Sequence, residues 1–436
     1  MSAVNRADHS RYVTVELSNK KSTVIFAPDP IAKCIIASDL FTRLIEISTL
    51  PTVGKKIYVY PDAVEKQFGF PSGVMVVTEG ENPYIYPAAT PDVADAFLVA
   101  ALNVSIEQVT ASAAGELLSE LETTLVKTEA LCEVQARDYN AWESRRAPVY
   151  SCRLAGMSTR AWCAAQQSVG VAYGHFVEIR FVKAVENSWR VGLFDGQIII
   201  IVHMGAGPIA DYLTFDLGEE MAERNIRIGD IPGHLLQRGY YGAPLYSELG
   251  RRYQNVYECG LQYAFYNRLV VMNKIKIAIT KVLGITGQLP VILSHKVHSG
   301  IEWDLESSAV TQFRGVQRLS QKSRMERQNG VTKSELTFIA GGIAGTSYLV
   351  TKGVKAAILG ERCCHGVPEW DIAHDHAKED REVKGVATNV VSDPAMRRRD
   401  DCNRMAIMEW LVGSETISVV AEMEPLISFH YRNTMA

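Results

Sequence analysis

The sequence predicts an α+β fold, and three observations carry that expectation. Long stretches repeat apolar residues at helical spacing, shorter runs are rich in β-branched residues, and the two kinds alternate irregularly rather than as regular βαβ units. In chain order, Ser72–Thr78 is the first clear strand, Val-rich throughout. Residues 104–135 read as a helix, rich in Leu, Ala and Glu, with Leu117, Leu118, Leu121 and Leu125 at helical spacing. The polar stretch 137–146 reads as a helix end or a loop. Residues 175–182 alternate: His175, Val177, Ile179 and Phe181 on one face, Phe176, Glu178, Arg180 and Val182 on the other. Residues 196–203 form a nearly continuous Ile/Val run, the pattern of a strand covered on both faces. A second helix is expected over 255–283, stopped by Gly284. Residues 336–340 and 417–422 add further strands.

The chain has 436 residues, 47% hydrophobic and 22% charged, which is ordinary globular material with enough apolar residues for a large core. Met1 to Ser10 is polar and has no apolar core of a leader peptide, and runs such as 96–102 and 198–202 are far shorter than a membrane span. A cytoplasmic protein with no membrane partner is therefore expected. The eight cysteines contain no CxxC pair, so neither a zinc knuckle nor a redox motif is indicated, and in a reducing compartment most serve as small buried hydrophobes. The net charge of −4 excludes a broadly basic nucleic-acid binder. Any nucleic-acid contact would use local patches: Arg314, Arg318, Lys322, Arg324 and Arg327, or Arg397, Arg398 and Arg399, both of which equally read as solvated, salt-bridged surface.

Of the ten histidines, four stand at edges of strand-like or glycine-bearing segments: His175, His203, His298 and His365. Imidazole is a common transition-metal ligand and, when neutral, a nucleophile. Taken singly, each reads as a satisfied core or rim histidine. Asp92 and Asp95 lie between the first strand and the first long helix, and Asp95 could equally be a first-turn acid. Oxygen with imidazole suits Mn2+ or Zn2+, and the oxygen-rich set tilts toward Mn2+. His374-Asp375-His376 reads as a surface loop, because neighbours two apart do not share a helix face, and His295 is read the same way.

At these residues the chain resembles the RtcB family of RNA ligases. Tyr60-Pro61-Asp62 followed by Phe68-Gly69-Phe70-Pro71-Ser72-Gly73-Val74 is similar to the family's PDGHxGxGFPIGG stretch. Asp92-Val93-Ala94-Asp95 stands where the family has Asp-x-x-Cys, and Gly174-His175-Phe176-Val177-Glu178 resembles Asn-His-Phe-x-Glu. The strand leading to His203-Met204-Gly205 resembles the one that ends in His-x-Gly-Ser-Arg-Gly. His298-Ser299-Gly300 is similar to His-Asn-x-Gly, and Arg314-Gly315-Val316-Gln317-Arg318 to Lys-Gly-Ala-Thr-Arg. The glycine-rich stretch 341–348 resembles the Pro-Gly-Ser-Met-Gly-Thr loop, and Cys364-His365-Gly366 the Cys-His-Gly-Ala-Gly-Arg loop. The fragments run in collinear order from about residue 40 to about residue 425.

The resemblance implies a single RtcB-like domain over 1–436, with central β-sheets flanked by helices around a metal pocket, a variable segment at 1–40 and a short tail at 426–436. It implies one or two Mn2+ ions on Asp92, Asp95, His175, His203 and His298, and GTP near Asp62, Glu178, Gly341, Gly342, Gly345 and Gly366. His365 would be the nucleophile that forms a histidine–GMP intermediate, and Arg314 and Arg318 would meet RNA ends. An activating protein or a larger self-assembly are the further partners to consider. The chain departs from the family pattern mainly on the nucleotide side. Asp95 replaces Cys, Gly174 replaces Asn, Ser299 replaces Asn, the Ser-Arg after His203 is lost, and Val367-Pro368-Glu369 replaces Ala-Gly-Arg. The Ser of the glycine loop and the C-terminal Lys of the family have no counterpart. Two functions follow: a divergent GTP- and Mn2+-dependent RNA ligase, or a former ligase reused as a structural, self-associating protein.

Overall fold

The computed structural model describes residues 4–6, 12–127, 156–173, 175–185, 192–285, 290–304, 308–319, 336–342, 345–356, 362–366, 382–383, 386–388 and 406–430, with backbone alone at 4–6, 382–383 and 386–388. Most strands join one mixed sheet. Its path runs Val4–Arg6, Val13–Glu16, Ser22–Ile25, Val53–Val64, Ser72–Thr78, Ala309–Arg314, Val291–Asp304, Asp95–Ser105, Gln197–Met204, Phe176–Val185, Ile417–His430, Ser347–Lys352 and Thr337–Ile339. The protein is α+β, as expected. Residues before 40 are built into it, since Ser22–Ile25 pairs in parallel with Val53–Val64.

The middle of the path shows why 196–203 reads as a run without alternation. Ile198, Ile200 and Val202 pack with Leu98, Ala100 and the helices Ala111–Thr124 and Glu248–Leu283. Ile199 and Ile201 face the other way, onto Phe97, Val99, Phe338 and Leu349. Phe338 and Leu349 come from the last strands of the path, so the sheet folds back over its own inner face; the Phe97 and Phe338 rings meet at 4.9 Å. A strand with apolar neighbours on both faces has no polar side to show.

Capping chemistry sets the helix ends. The Thr110 side chain accepts from the Ala113 N–H, and the Ser247 side chain from the Gly250 N–H. Gly284, at φ 65°, ends the long helix in the left-handed conformation, as its position in the sequence suggests. The expectation of a helix over 104–135 is corrected. Asp95–Ser105 is a strand, Ile106–Gln108 a 3-10 turn, and the helix starts only at Ala111. The strand gave no period-two signal because Ala96 through Leu102 are all buried. Residues 128–135 and 137–146 lie outside the described residues. The second helix starts earlier than expected, at Glu248. No helix among the described residues is long and apolar enough to cross a membrane.

Candidate metal centre and nucleophile

The candidate site forms where the inner face of neighbouring strands ends. Asp95 opens one strand, and antiparallel pairing sets Phe97 opposite His203 and Ala96 opposite Met204 on the next. On the far side of that strand His203 is opposite Phe176, which follows His175. His298 lies within Val291–Asp304, at a register shift between Val297, opposite Ala96, and Ser299, opposite Asp95. An inserted residue at such a bulge re-aims its side chain. Gly205 lets the end of the His203 strand come close: a Cβ there would lie 2.9 Å from the Val93 carbonyl oxygen.

Asp95 Oδ2 is the hub. It lies 3.0 Å from His203 Nε2, 3.3 Å from His298 Nε2 and 3.7 Å from His175 Nδ1. The two Nε2 atoms are 3.0 Å apart. One ligand atom each from Asp95, His175 and His203 falls within 4.8 Å of the others. Burial alone would raise the Asp95 pKa, but His175, His203 and His298 around it hold the carboxyl well below the usual range. Burial lowers His203, and takes His298 down to about 3 despite the pull of Asp95. At neutral pH the cluster thus sets a carboxylate beside the neutral imidazoles of His203 and His298, the protonation state that ligates metals. Metal–ligand bonds of about 2.0–2.2 Å at tetrahedral or octahedral angles put neighbouring donors roughly 3.0–3.6 Å apart. The separations among Asp95, His203 and His298 fall in that range, while His175 Nδ1, at 3.7 Å from Asp95 Oδ2, lies just beyond it. Asp95 Oδ1 is buried without a hydrogen-bond partner among the described residues, and so fits a further metal–oxygen contact.

His365 stands beside this cluster, its ring centroid 4.8 Å from that of His298. Its Nδ1–H donates to Asp62 Oδ2 at 2.6 Å, and the same oxygen accepts the Gly366 N–H at 3.3 Å. The strand Arg362–Cys364 delivers it, pairing with Val316–Arg318. Gly315, at φ 67°, packs against the ring: a Cβ there would collide with Ser72 Oγ and come within 3.1 Å of His365 Cε1.

The other expected residues are placed differently. Asp92 does not join the hub; its Oδ2 takes a hydrogen bond from Arg314 Nη2 at 2.9 Å. Arg314 Nη1 also donates to the Phe68 and Phe70 carbonyls. Burial raises the Asp92 pKa, and the Arg314 charge and hydrogen bond together with nearby His175 bring it below the ordinary value. Arg318 pairs with Glu302, which also takes Arg362. Glu178 is buried and accepts from Arg180 Nε at 2.7 Å. Arg180 also donates to the Gly342 and Gly345 carbonyls. The Gly341 N–H donates to Ser347 Oγ and the Gly345 N–H to the Gly342 carbonyl, so these two do not point outward as donors. His295, read above as surface, is buried in its strand: its Nε2 accepts from Arg268 Nε at 2.7 Å, and its ring stacks on Phe265. Arg268 escaped the sequence reading, although a lone cation in Asn267-Arg268-Leu269-Val270-Val271 is a signal that could have found it. His374 to His376, Arg397 to Arg399, Lys322, Arg324, Arg327, Gly174 and Val367 to Glu369 lie outside the described residues.

The fold and this cluster define an α+β protein whose sheet end carries a donor set able to hold a divalent metal, beside a histidine oriented by a carboxylate. The family model described as tRNA-splicing ligase RtcB matches residues 43–368, about three quarters of the chain, and the chain belongs to the RtcB family. Curated relatives named tRNA-splicing ligase RtcB align over shorter stretches. The Thermococcus kodakarensis protein is 27% identical over 105 residues, 23% of this chain and 21% of that protein. The Pyrococcus furiosus protein is 30% identical over 105 residues, 23% of this chain and 10% of that protein. The Methanococcus maripaludis protein is 27% identical over 110 residues, 23% of this chain and 21% of that protein. The chain therefore spans about a fifth or less of the length of these relatives.

Proposed function

We propose that the chain is a divergent, GTP- and Mn2+-dependent RNA ligase that joins an RNA 3′-phosphate or 2′,3′-cyclic phosphate to a 5′-hydroxyl through a histidine–GMP intermediate. The observation that carries this reading is the pairing of His365 with buried Asp62 at 2.6 Å, within 4.8 Å of the His298 ring. With Nδ1–H given to a carboxylate, the lone pair sits on Nε2, where a neutral imidazole is nucleophilic.

In the proposed sequence Nε2 attacks the α-phosphorus of GTP, and the Pα–O bond to pyrophosphate breaks. An RNA 3′-phosphate oxygen then takes GMP, restoring the imidazole. The 5′-hydroxyl oxygen, losing its proton, attacks the activated 3′-phosphorus and GMP departs. A cyclic phosphate first requires opening by water to the 3′-phosphate. Asp95, His175, His203 and His298 would hold Mn2+, with Asp92 joining on release from Arg314. The metal, one ion or two, would supply neutralisation of phosphate charge. Gly341, Gly342, Gly345 and Gly366 would border the nucleotide together with Asp62, with Arg180, paired to Glu178, holding the Gly342 and Gly345 carbonyls. Arg314 and Arg318 would exchange their carboxylates for RNA phosphates. Incubation with Mn2+ and α-phosphate-labelled GTP tests the reading: acid-labile label on the protein is expected, and should vanish in His365→Ala. Absence of label with Mn2+ still bound would move the assignment to a binding or self-assembling protein.

A further inference from the structure

Arg268 is a cation at the centre of the long helix Glu248–Leu283 and is only 1% exposed. Its contacts converge on the backbone behind the metal cluster. Nη1 donates to the Ala94 carbonyl at 2.8 Å and to the Met204 carbonyl at 2.6 Å, while Nε donates to His295 Nε2 at 2.7 Å. Ala94 immediately precedes Asp95, and Met204 immediately follows His203. Ala94 is fully buried and held at φ 61°, a left-handed conformation that an alanine rarely adopts and that persists only where the surroundings impose it.

We propose that Arg268 is a positioning residue for the metal centre: from the helix side, its guanidinium pins the two carbonyls that flank Asp95 and His203 and thereby sets where these side chains meet. This rests on the metal reading given above. The planar fork reaches both carbonyls and the imidazole in one plane-defined geometry, which a flexible ammonium reproduces only in part. The left-handed turn at Ala94 sends the Asp95 side chain inward, and the Arg268 hydrogen bond holds that turn. His295, stacked on Phe265 at 4.6 Å, fixes the guanidinium from the opposite side.

The test uses the full chain, with Co2+ as a visible spectroscopic probe and Mn2+ affinity by calorimetry. Partners that orient metal ligands typically change affinity by about 10- to 100-fold when removed. Arg268→Met is therefore expected to lose Mn2+ affinity by about that factor and to change the Co2+ absorption spectrum. Arg268→Lys should show an intermediate loss. Ala94→Gly, which adopts the left-handed turn without strain, should recover part of the affinity in the Arg268→Met background. A merely space-filling role for Arg268 would not be rescued by that change, because it adds no packing. A folded Arg268→Met with the parent affinity and spectrum overturns the proposal; if that variant does not fold, a folded Arg268→Lys with parent behaviour does so. Failure of Ala94→Gly to recover any affinity also counts against it. A parent chain that binds no Co2+ overturns the metal reading itself, and this inference with it.

Discussion

Asp62 Oδ2 accepts the His365 Nδ1–H at 2.6 Å while Asp62 itself is only 2% exposed. A buried carboxylate in that place selects one tautomer and one ring plane, and favours the imidazole's gain of positive character when Nε2 forms a bond to phosphorus. Asp62→Asn keeps the volume but offers an amide whose N–H2 can donate to Nδ1, putting the proton on Nε2. Formation of acid-labile guanylate on the protein should fall about 100-fold or more, by analogy with other carboxylate–histidine pairs. Mn2+ affinity should stay unchanged. A normal labelling rate in a folded variant would mean that Asp62 does not set the tautomer.

The ion pair between Asp92 and Arg314 makes a second prediction. Asp92 and the hub carboxylate Asp95 compete for positive charge, since each raises the cost of the other while Arg314 relieves Asp92. Arg314→Gln removes the cation and should release Asp92 toward a bound metal. Mn2+ affinity is expected to rise about tenfold. The fold should lose about 1–3 kcal/mol, because the Phe68 and Phe70 carbonyls forfeit a donor. Calorimetry and urea unfolding read the two effects separately; an unchanged or lower Mn2+ affinity would remove Asp92 from the ligand set.

Asp95 stands where the family pattern has Cys, and its Oδ2 contacts each imidazole of the cluster. Hard oxygen favours Mn2+, whereas thiolate favours softer ions. Asp95→Cys should raise the preference for Zn2+ or Cd2+ over Mn2+ by about tenfold or more in competition dialysis. An unaltered ratio would show that this side chain does not ligate.

Local chemistry made some of this legible in sequence and hid the rest. The inner run at 196–203 and the stop at Gly284 follow from side-chain type alone, and both stand in the structure. Asp95–Ser105 was misread in part as helix because a strand buried on both faces has no polar alternation to distinguish it. Convergence of His175, His203 and His298 on Asp95 depends on pairings between strands far apart in the chain, and on a bulge at His298, which no local pattern encodes. The residue order along the chain suggested the set only through family resemblance. Arg268 was missed and His295 taken for surface because each forms its hydrogen bonds with residues distant in sequence, so a lone cation in an apolar run showed at most that Arg268 is buried, not what it binds.

The buried histidines give the protein a pH dependence whose direction can be worked out. Burial depresses the His298 pKa to about 3, from an ordinary value of 6.5. Between those values the unfolded chain binds a proton that the folded chain refuses. Stability from the neutral ring is therefore complete above pH 6.5 and is lost as pH falls below it. Asp95 also has a depressed pKa, but as an acid its contribution is lost only below the ordinary carboxylate value of 3.8. Between pH 6.5 and 4.5 His203 and His295, also lowered by burial, act in the same direction, while Asp211, raised by burial, opposes them. A singly titrating group contributes at most about 1.4 kcal/mol per pH unit. Urea midpoints measured without metal should fall steadily from pH 7 to pH 4.5. His298→Gln should flatten that slope by about 1 kcal/mol per unit, leaving the part due to His203 and His295. A slope identical to the parent's would mean that the His298 ring takes up its proton in the folded state, and its place as a neutral ligand would be lost.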